Sequence, residues 1–262
     1  MEILLFVICI AASSIGAVVG AGGGVIIKPL VDLTGFLPVS TVSFCSGCTV
    51  LCMSVSSLIR TRNNGVRLDA RIGTVLAIGA AGGGLLGQYI FDFIRLSSNN
   101  EKFLGAAQSI ILFLIMVVIL IYICKKERLP SLHVKSLAPT AFIGLFLGMI
   151  SAFLGIGGGP LNVALLFLFF SMDAKTAAKT SLYIIIFSQV TSLVMTLASG
   201  TVPSFSWPVL ISMAAGGVGG ALIGAAITKR INNKGVERLM KALILIVMLI
   251  CIFNSVKFIS QM

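Results

Sequence analysis

The sequence predicts an all-α polytopic membrane protein made of two inverted-topology repeats, each a glycine-broken helical hairpin followed by three transmembrane helices. Composition, an internal self-similarity and the placement of Lys and Arg carry that prediction. Of 262 residues, 58% are hydrophobic and only 10% charged, where globular domains carry roughly 25% charged; the mean hydropathy is +1.11. Residues 3–27, 33–59, 72–91, 103–124, 136–172 and 180–228 contain no Asp, Glu, Lys or Arg. A helix needs about 20 apolar residues to cross the bilayer, so most of these runs span once and the longest hold more than one pass. A soluble enzyme fold, a large solvent-side domain and nucleic-acid binding are excluded; the lipid bilayer is the partner this composition demands.

The first element starts at Met1-Glu2 and turns apolar at once. A secretory signal would have a basic start and a small-residue cleavage site. The start here is acidic and the segment recurs inside the chain, so it is expected to be retained.

That recurrence is the second observation. A shift of 135 residues lays Ile15–Gly24 on Ile150–Gly159, Ser46 on Ser181, Ser54–Leu58 on Gln189–Leu193 and Gly65 on Gly200. Two residues of insertion then place Gly79, Gly83 and Gly87 on Gly216, Gly220 and Gly224, and Glu101-Lys102 falls on Glu237-Arg238. The chain therefore divides into a first repeat (1–124), a basic linker (125–135) and a second repeat (136–262).

The basic residues say which way the repeats face. If each Gly-Gly-Gly element interrupts its helix and turns the chain back, Arg60, Arg62, Arg67, Arg71, Lys125, Lys126, Arg128, Lys135, Lys175, Lys179, Lys229, Arg230, Lys234, Arg238 and Lys241 share one side. Only Arg95, Lys102 and Lys257 fall opposite. The net charge of +11 is then a topology signal: cytoplasmic loops are rich in Lys and Arg. The linker is cytoplasmic, both termini lie outside, and the protein is a multi-pass component of the cell's inner (plasma) membrane. Trp207 and Tyr122 fall at span ends, where interfacial aromatics belong.

The breaks at Gly20-Ala-Gly-Gly-Gly24 and Gly155-Ile-Gly-Gly-Gly159-Pro160 are where chemistry is expected. Glycine interruptions at matching places in two halves mark transporter substrate sites, and half-helix N-termini aim N–H groups and positive dipole ends at anions. Pro160 suits the first turn of a new helix. Gly22, Gly23, Gly24, Gly157, Gly158 and Gly159 are thus candidate substrate-binding residues; close helix packing is the competing explanation. Hydroxyls and amides that bind an anion while staying neutral follow each break, and Ser46, Asn162, Thr180, Ser181 and Gln189 join the set. Most membrane Ser and Thr hydroxyls bond their own helix instead. Lys28 is the one cation inside a broken segment: it either faces the anion or snorkels to the interface. Asp32 lies near a helix end, and Asp69, Asp92 and Asp173 in or near loops, which leaves little material for a buried proton relay.

Other elements carry less. Gly79-xxx-Gly83-xxx-Gly87 and Gly216-xxx-Gly220-xxx-Gly224 put three glycines on one helix face, for packing between spans or for a homodimer. Cys45-Ser-Gly-Cys48 has redox spacing but no soluble βαβ setting, and the six cysteines pack as small hydrophobes. His133 lies in the linker, so neither a serine protease nor an HExxH zinc site can be assembled; the chain is not expected to be an enzyme, and no cofactor is implied.

Gly20-Ala-Gly-Gly-Gly-Val-Ile-Ile-Lys-Pro29-Leu30, its echo at Gly155–Gly159, and Ala178-Lys-Thr180-Ser181-Leu182 resemble the sulfite exporter TauE/SafE family over nearly the whole chain. The second copy departs by having Ala164 where Pro29 would repeat and Pro160 directly after the glycines. The resemblance implies a secondary transporter of small sulfur-containing anions such as sulfite or an organosulfonate, working by alternating access around a site between the breaks. With no ATP-binding motif, gradients would drive it. A passive small-anion channel is the alternative, distinguished by far higher flux and no trans-stimulation.

Overall fold

A computed structural model describes residues 1–62, 70–98, 101–126, 132–134 and 136–260. Ten helices follow one another among them: α1 (Glu2–Val19), α2 (Gly24–Thr34), α3 (Val39–Arg60), α4 (Ala70–Ser98), α5 (Glu101–Lys125), α6 (Leu137–Leu154), α7 (Gly159–Phe170), α8 (Ala174–Ala198), α9 (Trp207–Arg230) and α10 (Asn233–Ser260). Eight are long and apolar enough to cross a membrane; α2 and α7, the short pieces after the breaks, are not among them. The run 180–228 does hold two passes, α8 and α9, separated by the turn at 199–206. Arg67, Arg128 and Lys135, three of the residues used for orientation, and Asp69 lie outside the described residues.

The order of elements is the same in α1–α5 and α6–α10, but the two sets are interlocked. α4 packs most extensively on α6, and α9 on α1. Glycines make both crossings. A Cβ placed on Gly79, Gly83 or Gly87 would strike the carbonyl oxygens of Ala141, Leu145 and Met149 of α6. The counterparts Gly216, Gly220 and Gly224 meet those of Phe6, Ile10 and Ser14 of α1. Small residues let membrane helices approach to backbone contact, and here that contact is spent within one chain. A homodimer would therefore have to use other surfaces than these glycine faces.

The basic ends are tied together as well. Lys126 pairs with Glu237 across the ends of α5 and α10 and stands 4.0 Å above the Phe167 ring. Asp173 caps α8, accepting from the amides of Lys175 and Thr176. Burial pushes its carboxyl up, but these bonds and Asn233 outweigh it and hold it below the usual carboxylate range.

Candidate functional site

The glycine runs do interrupt the helices. α1 stops because Gly20 takes φ 76°, and Gly22 and Gly23 follow at 71° and 69°. α2 then restarts at Gly24, the amides of Ile26 and Ile27 both donating to the Gly23 carbonyl at 2.9 Å. The second copy repeats this with Gly155, Gly157 and Gly158 at 64°, 76° and 87°, and α7 begins at Gly159-Pro160. Such angles are costly for any residue with a Cβ, so three matching glycines per break are what permits two sharp reversals inside the protein.

The two turns pack directly against each other. A Cβ on Gly24 would come 2.5 Å from the Ile156 carbonyl oxygen, and one on Gly159 3.1 Å from Val25 Cβ. Val50 and Ile185, equivalent residues of α3 and α8, close the seam at Gly22 and Gly157. The glycines of each break thus pack on backbone and side chains of the other half.

Two clefts open at opposite ends of α3 and α8. The wider lies between the start of α3 (Ser40, Ser43, Gly47), the end of α4 (Gln88, Asp92, Arg95) and the end of α8 (Gln189, Ser192, Thr196), reaching Gly155. The narrower lies between the end of α3 (Ser57, Thr61), the start of α8 (Lys175, Ala178, Lys179, Leu182) and Ala17 and Thr228. Equivalent helices α3 and α8 therefore run past each other in opposite directions. Under the repeat offset, eight of the nine residues around the narrower cleft coincide with residues of the wider one. Leu182 stands where the wider cleft has Gly47, Lys175 where it has Ser40, and Lys179 where it has Phe44.

In the wider cleft one wall is saturated. Ser192 donates to Gln88 Oε1 at 2.8 Å, Gln88 to Asp92 Oδ1 at 3.2 Å, Thr201 to Asp92 Oδ2 at 3.1 Å, and Arg95 to the Thr201 carbonyl at 3.0 Å. Two other lining groups are not. The Ser43 hydroxyl and the Gln189 Nε2 are buried among the cleft-lining residues without a hydrogen-bond partner. Buried polar atoms are normally bonded, so two unspent neutral donors here describe a place for an acceptor.

Lys28 backs this cleft. Its Cε lies 3.3 Å from where a Cβ on Gly155 would stand. It is buried rather than snorkelling, with Nζ 3.0 Å from Asp32 Oδ2 and 2.9 Å from Gln108 Oε1. Asp32 and Asp92, which the sequence placed near helix ends and loops, are both buried; α4 continues past Asp92 to Ser98, and Thr201 of the turn after α8 covers it.

The other predicted residues are distributed differently. Ser181 donates to the Gly20 carbonyl at 2.6 Å and so holds the first break in shape. Its repeat partner Ser46 is buried with an unpaired hydroxyl, as is Thr180. Asn162 folds over Gly158 with its Oδ1 unpaired. Ser181→Ala should lower stability by about 1–3 kcal/mol, since it strands a buried carbonyl, whereas Ser46→Ala breaks no bond and should cost far less; thermal unfolding in detergent measures both. Gln88, Asp92, Arg95, Ser192 and Thr196 were not anticipated. Their only sequence signal is polar residues recurring every three or four positions toward the ends of α4 and α8.

A family model described as sulfite exporter TauE/SafE matches residues 5–252. The chain is also 25% identical over 269 residues to a Bacillus subtilis (strain 168) protein described as "Probable membrane transporter protein YunE", covering 94% of this chain and 95% of that one. No solved structure matches.

Proposed function

Because the chain belongs to the sulfite exporter TauE/SafE family and is a multi-pass membrane transporter, we propose that it is a secondary transporter of small sulfur-containing anions working by alternating access. The observation that carries this is the pair of clefts lined by equivalent residues at opposite ends of α3 and α8. Inverted repeats supply two access routes to one site because each conformation of one half is available to the other. Here the two routes differ: Gly47 leaves the first open, while Leu182 occupies the same place in the second. Exchanging which half adopts the open arrangement would move the opening from one side to the other.

The positive-inside bias assigns the sides. Arg60, Arg62, Lys175 and Lys179 surround the narrower cleft's end of α3 and α8, which makes that cleft cytoplasmic and the wider one external. An anion entering from outside would meet Ser43 and Gln189, with the Lys28 ammonium behind Gly155 supplying positive charge. Neutral donors hold an anion without trapping it, which suits a ligand that must leave again.

Uptake into proteoliposomes of labelled sulfite, methanesulfonate and thiosulfate tests the proposal. Saturable uptake of at least one, accelerated by unlabelled anion inside, is the expected result; flux without trans-stimulation at channel rates, or none with all three, overturns it.

A further inference from the structure

The fold does not need the charges that α2 carries. The second repeat places Val163 and Phe167 where the first has Lys28 and Asp32, and both are buried apolar residues. A buried ion pair is a poor stabiliser compared with apolar residues of similar volume. The pair in α2 is 3% and 5% exposed, and one copy of the same unit dispenses with it.

The pair also connects two separate spaces. On one side the Lys28 Cε lies 3.3 Å from where a Cβ on Gly155 would stand, and Gly155 lines the external cleft; Gln108 links Lys28 to the Phe153 carbonyl just before the second break. On the other side Asp32 lines a different cavity, formed by the end of α2, the start of α3, the start of α5 and the end of α10. Its Oδ1 is buried with no partner. Lys28 therefore has two possible anionic neighbours, Asp32 and an anion in the cleft, and Asp32 has a free oxygen beside a vestibule.

We infer that Asp32 is a proton-binding site coupled to the anion through Lys28, so that proton and anion are carried together. This rests on the transport reading above. An anion arriving beside Gly155 draws the Lys28 ammonium hydrogen bond from Asp32 Oδ2 to itself. Asp32 is then a buried carboxylate without its cation, a state that takes up a proton rather than remain charged. The proton comes from water in the vestibule and forms the carboxylic acid; once the openings exchange and the anion leaves on the far side, Lys28 returns to Asp32 and the proton is released to that same side. The other charged groups facing Asp32 are Lys257 of α10, donating to the Asp32 and Leu33 carbonyls, and Glu101 of α5, which accepts from Ser40. Lys102 of α5 also lines the vestibule, and the Cys251 thiol of α10 is buried nearby. α7 has no charged residue, and α1 and α3 carry only Glu2 and Arg60, each in a terminal turn.

Methanesulfonate and thiosulfate do not themselves bind protons near neutral pH, so proteoliposomes with a pH-sensitive dye in the lumen and either anion outside separate the possibilities. In the wild type the lumen should acidify by one proton per anion that enters. In Asp32→Asn anion entry should slow and the proton-to-anion ratio fall to zero, while Asp32→Glu keeps the ratio. If Asp32→Asn yields little folded protein, the double variant Lys28→Val with Asp32→Phe installs the second repeat's own residues and should likewise carry no protons. A wild type that moves either anion without protons, or an Asp32 variant lacking the carboxyl that keeps the full ratio, overturns the inference. A wild type that carries none of sulfite, methanesulfonate or thiosulfate overturns the transport reading instead.

Discussion

Gly83→Leu is expected to leave almost no folded, membrane-inserted protein, whereas Gly82→Leu, one residue away, should accumulate like the wild type. The contrast follows from which way each position faces. A Cβ on Gly83 would lie 1.9 Å from the Leu145 carbonyl oxygen and 2.7 Å from the Met149 amide, both fixed backbone of α6. Nothing lies within 4 Å of a Cβ on Gly82. Backbone cannot move aside as a side-chain tip can, so α4 and α6 would have to separate along their most extensive helix contact. Overpacking costs about 1–3 kcal/mol even where side chains can adjust, and this site exceeds that, against a total stability of about 5–15 kcal/mol. Size-exclusion profiles of the detergent-solubilised variants measure the difference. A monodisperse Gly83→Leu at wild-type yield would mean that α4 and α6 are not in backbone contact.

The second large effect is on transport with the fold intact. Gly47→Leu should cut anion uptake by about 10- to 100-fold. Its Cβ would meet the Gln189 Oε1 at 3.0 Å and the Leu193 Cδ2 at 3.9 Å, both movable side-chain ends. Leu in place of Gly favours the α3 helix by about 0.8–1 kcal/mol, so the protein should remain folded. The added side chain fills the external cleft and pushes aside the Gln189 amide. Losing one hydrogen bond to a charged ligand costs about 1.5–3 kcal/mol, which corresponds to that range of affinity. The narrower cleft already has Leu182 at this position, so the variant makes the two mouths alike. Uptake at the wild-type rate with a folded protein would remove the anion from this cleft. A turn glycine would be a poorer choice: at Gly158 the backbone has φ +87° and Asn162 stands 2.6 Å from any Cβ, so a side chain there would damage the break itself.

The all-helical class and the two chain breaks were legible because their signals are local. A Gly-x-Gly-Gly-Gly run states a chain reversal by itself, and the 135-residue offset aligned the two copies of each element before any helix was placed. The site was only partly legible, because it depends on which helices become neighbours. Ser43 and Gln189 occur in runs of similar hydroxyls and amides, most of which bond their own helices, as Thr49, Thr191 and Thr196 do. Which of them remain unspent is decided by α3, α4 and α8 meeting, and no periodicity within one helix records that. Asp92 and Arg95 near the end of a span have the sequence character of interfacial residues until the 199–206 turn folds over them. Lys28 and Asp32 are a different case. Their spacing of four sets both on one face of a helix, and two charges inside an apolar segment were a signal present in the sequence from the start.

The crossings of α4 on α6 and α9 on α1 also constrain the order of synthesis. α1 is made long before the surface its backbone fits, which lies more than two hundred residues later in α9. Until the ribosome has delivered α9, α1 must wait in lipid with that backbone face uncovered. Contacts this distant in sequence are slow to close. Chains truncated before Trp207 should therefore be recognised as unfinished by quality-control proteases, however many of their helices have already crossed the bilayer.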